Sequence, residues 1–385
     1  MGKNNISIFS KCANCGSCQH ACPVHAITID ETGLFYMPQV NSDACIDCGK
    51  CVSVCPVNLP QVTQNLSAAY GGFHLDKIVV NQSSSGGAFH AFAKKVLAEN
   101  GVVFGAAFDE THKAVVFSNT DETTLEALQK SKYVESLVGD SFAKVLEHLK
   151  NNRKVLFCGT PCQVAGLKRF LGKDDSNLYT CDFSCGGLPS HQLFRNYVMN
   201  HEANAGARVK TIDFRPKTYG WKTHAIRVGF ENGKVYSKPA ELDPFFCGFL
   251  HKRVTMRDYC YTCDFSDNHA SDIILADFWL HDQCSNLDDS DRGLSLLIVN
   301  SEKGAAMIEG IRDRFYLEPL NLEKASYNIC NGHKPETLRL AQKEFMCCFS
   351  ANGYEKAIKQ YLNPEFKTIL KQWIKQGVNV LRGNK

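Results

Sequence analysis

Residues 12–23 read C-A-N-C-G-S-C-Q-H-A-C-P, and residues 45–56 repeat the pattern as C-I-D-C-G-K-C-V-S-V-C-P. Each run is C-x2-C-x2-C-x3-C-P, and together they use eight of the 19 cysteines in this 385-residue chain. A doubled run of this kind is the ligand pattern for two [4Fe–4S] cubes. Three thiolates spaced two residues apart cap one cube, and the fourth cysteine, ahead of a proline, reaches across to the other. The expected sets are therefore Cys12, Cys15, Cys18 and Cys55 for one cube, and Cys45, Cys48, Cys51 and Cys22 for the other. Structural zinc also uses C-x2-C pairs, but it needs only four ligands per site and has no use for a crossed fourth cysteine with its proline.

The rest of the composition agrees with metal-ligand use of cysteine. The chain is long enough for two or three domains, and 44% hydrophobic residues support a large core. Cysteine-rich disulfide scaffolds are short secreted chains. Here residues 1–10 show no apolar secretory core, so thiolates in a reducing cytoplasm are the expected state. No apolar run approaches membrane-span length. A net charge of +3 is too small to imply a nucleic-acid partner. The charge is uneven: residues 331–385 hold ten Lys or Arg against four Glu. Within them, Phe366, Ile369, Leu370, Trp373 and Ile374 fall at helical spacing beside a row of Lys367, Lys371 and Lys375. Such a basic amphipathic helix packs on its own domain with a solvated lysine face, or meets an anionic membrane surface or an acidic partner.

A first module, of ferredoxin type, ends near Leu66, with two short strands around Thr32-Gly33 and a polar linker over residues 58–72. Beyond it strands and helices alternate: S-S-S-G-G opens a helix over residues 83–100, G-V-V-F-G-A-A-F follows as a strand, K-V-L-F-C leads into T-P-C-Q and a helix, and N-L-Y-T-C-D-F precedes another. This alternation predicts a largely parallel sheet covered by helices. From about Lys210 the pattern turns antiparallel, and helices run to the end. The expected divisions are 1–66, 67–150, 151–320 and a helical basic tail over 321–385. The fold class is α+β with an α/β core: a bacterial two-cluster ferredoxin module, a mixed α/β domain, to which the resemblance given below adds flavin binding, and a helical C-terminus.

Eight further cysteines lie between residues 158 and 284. Cys158 and Cys181 fall inside buried strands, where a thiol acts as a small hydrophobe. Cys162 and Cys185 lie just past the carboxyl ends of those strands, the edge where open sheets bind ligands. Thr160 fits an N-cap, Pro161 the first helical position and Gln163 a capping box. Cys162 then stands in the positive end of a helix dipole, which favours thiolate. Cys185 is followed by two glycines, which admit a bulky group close to the backbone. Cys260 and Cys263 form one more C-x2-C pair. These four supply enough ligands for a third cluster; structural zinc, a redox-active Cys260–Cys263 disulfide and plain core cysteines are the rival readings.

Several segments in order, S-S-S-G-G-A-F, G-V-V-F-G-A-A-F-D, S-K-Y-V-E-S, G-T-P-C-Q-V-A-G-L-K, F-S-C-G-G-L-P-S, F-R-P-K-T-Y-G-W-K and R-D-Y-C-Y-T-C-D-F-S with S-D-I-I-L-A-D-F-W, resemble the beta subunit of coenzyme F-420 hydrogenase and dehydrogenase, in its bacterial form fused to a ferredoxin. With the module the resemblance runs from Cys12 to Trp279. It implies an iron–sulfur flavoprotein whose third cluster is held by Cys162, Cys185, Cys260 and Cys263. It implies FAD at Ser84, Ser85, Gly86 and Gly87 and at Ser131, Lys132 and Tyr133, with a deazaflavin as a further possible ligand. The residues after Cys185 and Trp279 are Gly186 and Leu280, where relatives often carry histidine and glycine, which leaves the substrate open. Members with this fusion often belong to cell-surface polysaccharide pathways. The implied activity is electron transfer from the ferredoxin clusters to FAD and on to an organic acceptor, or the reverse, with a separate protein as donor or acceptor. The alternatives are a non-catalytic relay subunit and a zinc-stabilised interaction protein. Lys132, Arg215 and Lys222 are candidate cations for flavin phosphates or an anionic substrate. His191 and His224 are candidate proton donors, each also explicable as structural or surface.

Overall fold

The computed structural model describes residues 4–59, 65–288 and 291–364. The cysteine-rich segment forms a small lobe. Strands β1 (Ile27–Asp30) and β2 (Met37–Val40) pair antiparallel, with Ile27 opposite Val40. The short helices Ser17–Ala21 and Lys50–Ser53 each follow the glycine-containing turn of a cysteine run. The two turns are built alike. Asn14 and Asp47 hold φ of 56° and 50°, and Gly16 and Gly49 hold φ of 83° and 73°. Alternation between left-handed and other conformations turns successive N–H groups inward, which suits a polyanionic centre.

The main domain is built on a nine-stranded sheet in the order β14-β3-β13-β12-β8-β7-β4-β5-β6. Its strands are β3 (Ala68–His74), β4 (Val102–Phe108), β5 (Val115–Asn119), β6 (Ser136–Leu137), β7 (Val155–Cys158), β8 (Leu178–Phe183), β12 (Ile273–Asp277), β13 (Ser295–Val299) and β14 (Phe315–Leu320). Only β4, β7, β8 and β12 form a continuous parallel block; β5–β6 is parallel too, and the remaining neighbours are antiparallel. The expectation of a largely parallel sheet therefore holds at its centre alone. The expected linker over residues 58–72 is corrected at its far end. Ala68–His74 is glycine-containing, yet it is a strand paired on both sides. Its glycines are where neighbours press closest: a Cβ on Gly72 would lie 2.0 Å from the Tyr316 carbonyl.

The parallel strands are apolar on both faces because both faces are covered. On one side Phe92, Val103, Leu156, Leu297 and Ile308 pack beneath the helices Ala88–Ala98 and Glu302–Glu309. On the other, Phe104, Phe142, Phe157, Val164 and Leu167 pack beneath Ser141–Lys150 and Pro161–Leu171. A second, three-stranded antiparallel sheet, β11-β10-β9, comprises β9 (Val209–Asp213), β10 (Ala225–Phe230) and β11 (Val235–Pro239). It packs with the helices His191–Ala205, Pro244–Leu250 and Glu336–Asn352 around an aromatic core that includes Phe194, Phe214, Phe245 and Phe345. No helix among the described residues is long and apolar enough to cross a membrane. The basic amphipathic stretch around Phe366–Lys375 lies outside the described residues.

Candidate redox site

In the lobe, Cys22, Cys45, Cys48 and Cys51 line one small cavity together with Gly49, Val24 and Ile46. This is the crossed set, one cysteine from the first run and three from the second. The other set is held by the complementary residues. Cys18 is within electrostatic reach of Cys12 and Cys55, and Cys15 of Cys12 and Cys18. N–H donors already point at these sulfurs: Asn14 N–H to Cys12 Sγ (3.4 Å), Ala26 N–H to Cys22 Sγ (3.2 Å) and Asn58 Nδ2 to Cys55 Sγ (3.2 Å). Such donors stabilise cluster-bound thiolate.

The third set comes together from separate elements. Cys162, Cys185, Cys260 and Cys263 all line one cavity, with Pro161, Gly187, Tyr259 and Lys334 around them. Each position has a local cause. Thr160 caps the Pro161–Leu171 helix: its hydroxyl accepts from Gln163 N–H, and the Gln163 side chain closes the capping box. The same hydroxyl lies 3.1 Å from Cys162 Sγ. Cys185 follows β8. Gly187 holds φ of 129°, and a Cβ there would fall 2.2 Å from Met256 Sδ and 3.4 Å from Cys260 Cβ, so only glycine lets the two cysteine loops approach. Cys260 and Cys263 lie in and at the end of the turn Asp258–Thr262.

The helix dipole alone would favour Cys162 thiolate. Burial outweighs it: desolvation pushes the Cys162 thiol up to about 12, against the Thr160 hydroxyl bond. Cys185 and Cys260 are pushed up by burial as well, and by mutual proximity in the case of Cys260. Four neighbouring buried thiolates are tenable only around a cation, which is how metal binding couples to pH. Four cysteines lining one cavity match the number of protein ligands that a cluster of [4Fe–4S] type takes.

The two regions meet at the Pro161–Leu171 helix. Cys162 stands at its start, with Sγ 3.6 Å from the Ala13 carbonyl. One turn on, a Cβ on Gly166 would lie 3.1 Å from Cys15 Sγ. Cys15 and Cys162 are within electrostatic reach of each other. Cys185, Gly187 and Leu188 line both the cysteine cavity and a larger one of about 310 Å³. The larger cavity sits at the carboxyl ends of β7, β8 and β12, where open sheets bind ligands. Its rim is the serine- and glycine-rich turn before the Ala88–Ala98 helix, residues 129–134, and the β12 end with Asp277 and Trp279. Of the residues expected to bind flavin, Ser84, Ser85, Gly87, Ser131, Lys132 and Tyr133 line it. Gly86 does not; its N–H donates to Ser295 Oγ, and a Cβ on it would lie 2.6 Å from the Gly72 carbonyl. Ser84 Oγ accepts from Ser131 N–H (2.8 Å), which ties together the two segments expected to bind flavin. Burial lowers Lys132 to about 7, with its ammonium donating to the Gln129 carbonyl.

The other candidates separate. Arg215 is committed: it donates to Asp277 (2.7 Å), lies over Trp279 at 5.7 Å and approaches Tyr133 OH. It supports the cavity wall from behind. Trp279 stacks on buried Trp221 at 4.6 Å and is 40% exposed. His224 approaches Arg215 (3.3 Å), and burial lowers it to about 4. Lys222 is exposed. His191 is structural: its ring stacks on Tyr36 at 3.7 Å and its Nδ1 meets Glu135 at 2.7 Å. Sequence reasoning missed Glu135 and Arg257. Both sit inside family-like segments, S-K-Y-V-E-S and R-D-Y-C, but a charge in a motif gives no sign that it is buried until the fold places it.

Residues 11–59 match the model of the 4Fe-4S dicluster domain, and residues 152–325 match that of the C terminus of the coenzyme F420 hydrogenase/dehydrogenase beta subunit. No curated protein matches the chain. Among solved structures, a chain of the F420-reducing [NiFe] hydrogenase complex from Methanosarcina barkeri, studied by xenon derivatization, is 16% identical. That alignment covers 78% of this chain and 94% of the other, with a TM-score of 0.44. The two matches stand in the order of a 4Fe-4S dicluster domain followed by a domain like the C terminus of the coenzyme F420 hydrogenase/dehydrogenase beta subunit.

Proposed function

We propose that the protein is an iron–sulfur flavoprotein oxidoreductase that passes electrons from its two dicluster cubes through a third cluster to FAD and on to an organic acceptor, or in reverse. The observation that carries this reading is the adjacency of four sites: Cys51 of the Cys45 set is within electrostatic reach of Cys18, Cys15 of the Cys12 set is within reach of Cys162, and the Cys162 set shares Cys185 with the 310 Å³ cavity. Clusters supply single electrons, and flavin converts between one- and two-electron chemistry.

The chain's own residues divide the work. Cys12, Cys15, Cys18 and Cys55 would hold one cube, Cys22, Cys45, Cys48 and Cys51 the second, and Cys162, Cys185, Cys260 and Cys263 the third. Ser84, Ser85 and Gly87, at the start of the 11-residue Ala88–Ala98 helix, would receive flavin phosphate, aided by the positive helix end. Ser131, Lys132 and Tyr133 would close the other side. Asp277 holds Arg215 and Trp221 in place, which fixes the indole of Trp279 at the cavity edge. A deazaflavin is one acceptor this wall would accommodate. An open cavity with an exposed aromatic edge favours turnover at this site over a pure relay role. In the lobe, Ile46 and Val24 are 62% and 39% exposed at the rim of the outer cysteine cavity, which suits docking of a redox partner protein there.

The test is iron, sulfide and flavin content of anaerobically prepared protein. About twelve iron and twelve sulfide per chain, with one releasable FAD, is the expected result. Eight of each and no flavin would overturn the reading in favour of a relay adaptor.

A further inference from the structure

Between the lobe and the main domain lies a buried charged group that none of the cysteine chemistry accounts for. Arg257 is 3% exposed and Glu135 is completely buried. They pair at 2.7 Å between Arg257 Nη2 and Glu135 Oε2. Glu135 is satisfied on its other side by lobe and helix: its Oε1 accepts from Tyr36 N–H (3.2 Å) and meets His191 Nδ1 (2.7 Å). Arg257 turns the other way. Its Nη1 donates to the Cys12 carbonyl (3.3 Å), its Nη2 donates to the Tyr36 carbonyl, and its guanidinium lies over Phe35 at 5.3 Å. Its own carbonyl accepts from Cys260 N–H (3.0 Å).

The cation thus touches the backbone of Cys12, a ligand proposed for one lobe cube, while the residue's own carbonyl holds the N–H of Cys260, a ligand proposed for the third cluster. It is also within electrostatic reach of Cys12, Cys162 and Cys260. A buried pair of this kind is a poor source of stability compared with apolar packing, so its retention asks for another reason. Its geometry supplies one. Both ends of the pair hold Tyr36, but only the guanidinium reaches the Cys12 backbone, while the carboxylate's other oxygen is held by Tyr36 N–H and His191.

Resting on the proposed relay, we infer that Arg257 is the residue that sets the reduction potentials of the two clusters it lies between, with Glu135 fixing its orientation and partly offsetting its charge. A permanent cation beside a cluster favours the reduced, more negative state. Arg257 therefore raises both potentials. It is a positioning and tuning residue and touches no substrate.

The test is a spectroelectrochemical titration of the clusters, followed by electron paramagnetic resonance, with iron counted in the same samples. Glu135→Gln leaves the cation unopposed and is expected to raise the potential of the inner lobe cube or the third cluster. The double variant Arg257→Met with Glu135→Gln removes both charges, keeps an acceptor for Tyr36 N–H, and guards against a fold lost to an unpaired buried charge. It is expected to lower the potential by about 59 mV, a tenfold change in a one-electron equilibrium. Shifts of opposite sign at full iron content support the inference. Equal shifts of one sign, or none, at full iron content overturn it. Iron equivalent to two cubes in the unaltered protein would overturn the relay reading itself, and the count distinguishes that failure from the other.

Discussion

The lobe cysteines and the Cys162 set solve one chemical problem by opposite means. In the lobe all eight cysteines fall within residues 12–55, and the turns themselves aim the sulfurs. In the main domain four cysteines come from a capped helix, the end of β8 and a distant turn, and a nine-stranded sheet brings them together. The difference shows in what lies beneath. Three of the six buried apolar residues in the lobe core are cysteines, beside Ile6, Ala26 and Ile27. The main domain has two large apolar layers; the one around Phe92, Val103 and Leu297 holds none of the proposed ligands, and the other is mostly aliphatic and aromatic, with Cys15 and Cys162 among its members. Turn chemistry can place ligands without a core, but then the metal must supply the fold. A sheet can place ligands and stand without them.

The largest effect that would break this contrast is loss of iron. A lobe of this size with so small a core does not hold together by burial alone. Anaerobic chelation is expected to remove amide protection across residues 4–59 while β4, β7, β8 and β12 keep theirs, read by hydrogen exchange. Protection of both regions, or loss in both, would erase the distinction. Next in size is the clamp that joins the regions. Glu135→Ala leaves Arg257 charged, buried and unpaired, at a cost of about 3–5 kcal/mol. Denaturant unfolding should register it, and Glu302→Ala, on an exposed helix start, serves as a control with almost no change.

Gly166 gives a smaller effect with a sign that depends on the metal. It sits inside the Pro161–Leu171 helix, where alanine would normally add up to about 1 kcal/mol. Its Cβ would meet Cys15 Cβ at 3.0 Å and Sγ at 3.1 Å. Without iron, Cys15 can give way and the helix gain remains. With iron, Cys15 is tethered, and overpacking costs about 1–3 kcal/mol. Gly166→Ala should therefore stabilise the iron-free main domain and destabilise the loaded protein. The same sign in both forms would show that the lobe does not press on this helix.

The same contrast explains how far the sequence could be read. The doubled cysteine run announces its own pairing because ligand, turn and neighbour are adjacent in the chain. The capping box of Thr160 and Gln163 is readable for the same reason, and it fixes Cys162 to a helix start. Desolvation is not readable: it reverses the dipole's effect on Cys162, and it depends on Ala13 and Tyr259 arriving from elsewhere. Most of Ala68–His74, up to Gly72, reads as linker because its glycines respond to β13 and β14, which follow more than 200 residues later. Arg215 reads as a free cation because Asp277, its partner, is 62 residues away.

The last prediction concerns Lys132, a lysine on the wall of the larger cavity. Burial lowers its ammonium from 10.5 to about 7, with Asp213 only partly opposing. Between those values the unfolded chain binds more protons than the folded one, so folding stability rises with pH through that window and the penalty is complete below about pH 7. The slope is at most about 1.4 kcal/mol per pH unit for one proton. Lys217, lowered to about 7 by burial beside Arg215, contributes a second slope of the same sign. Lys132→Met should remove one of the two, read as a flatter stability profile between pH 7 and 9. If flavin phosphate approaches Lys132, it restores the charge, and FAD binding at pH 8 takes up a proton. Calorimetry in buffers of different ionisation enthalpy reads that uptake directly. Uptake in the unaltered protein and none in Lys132→Met would put the phosphate beside this lysine. Equal uptake in both would show that the phosphate does not recharge this lysine, and would break the assignment of residues 131–133 to the phosphate side of the cavity.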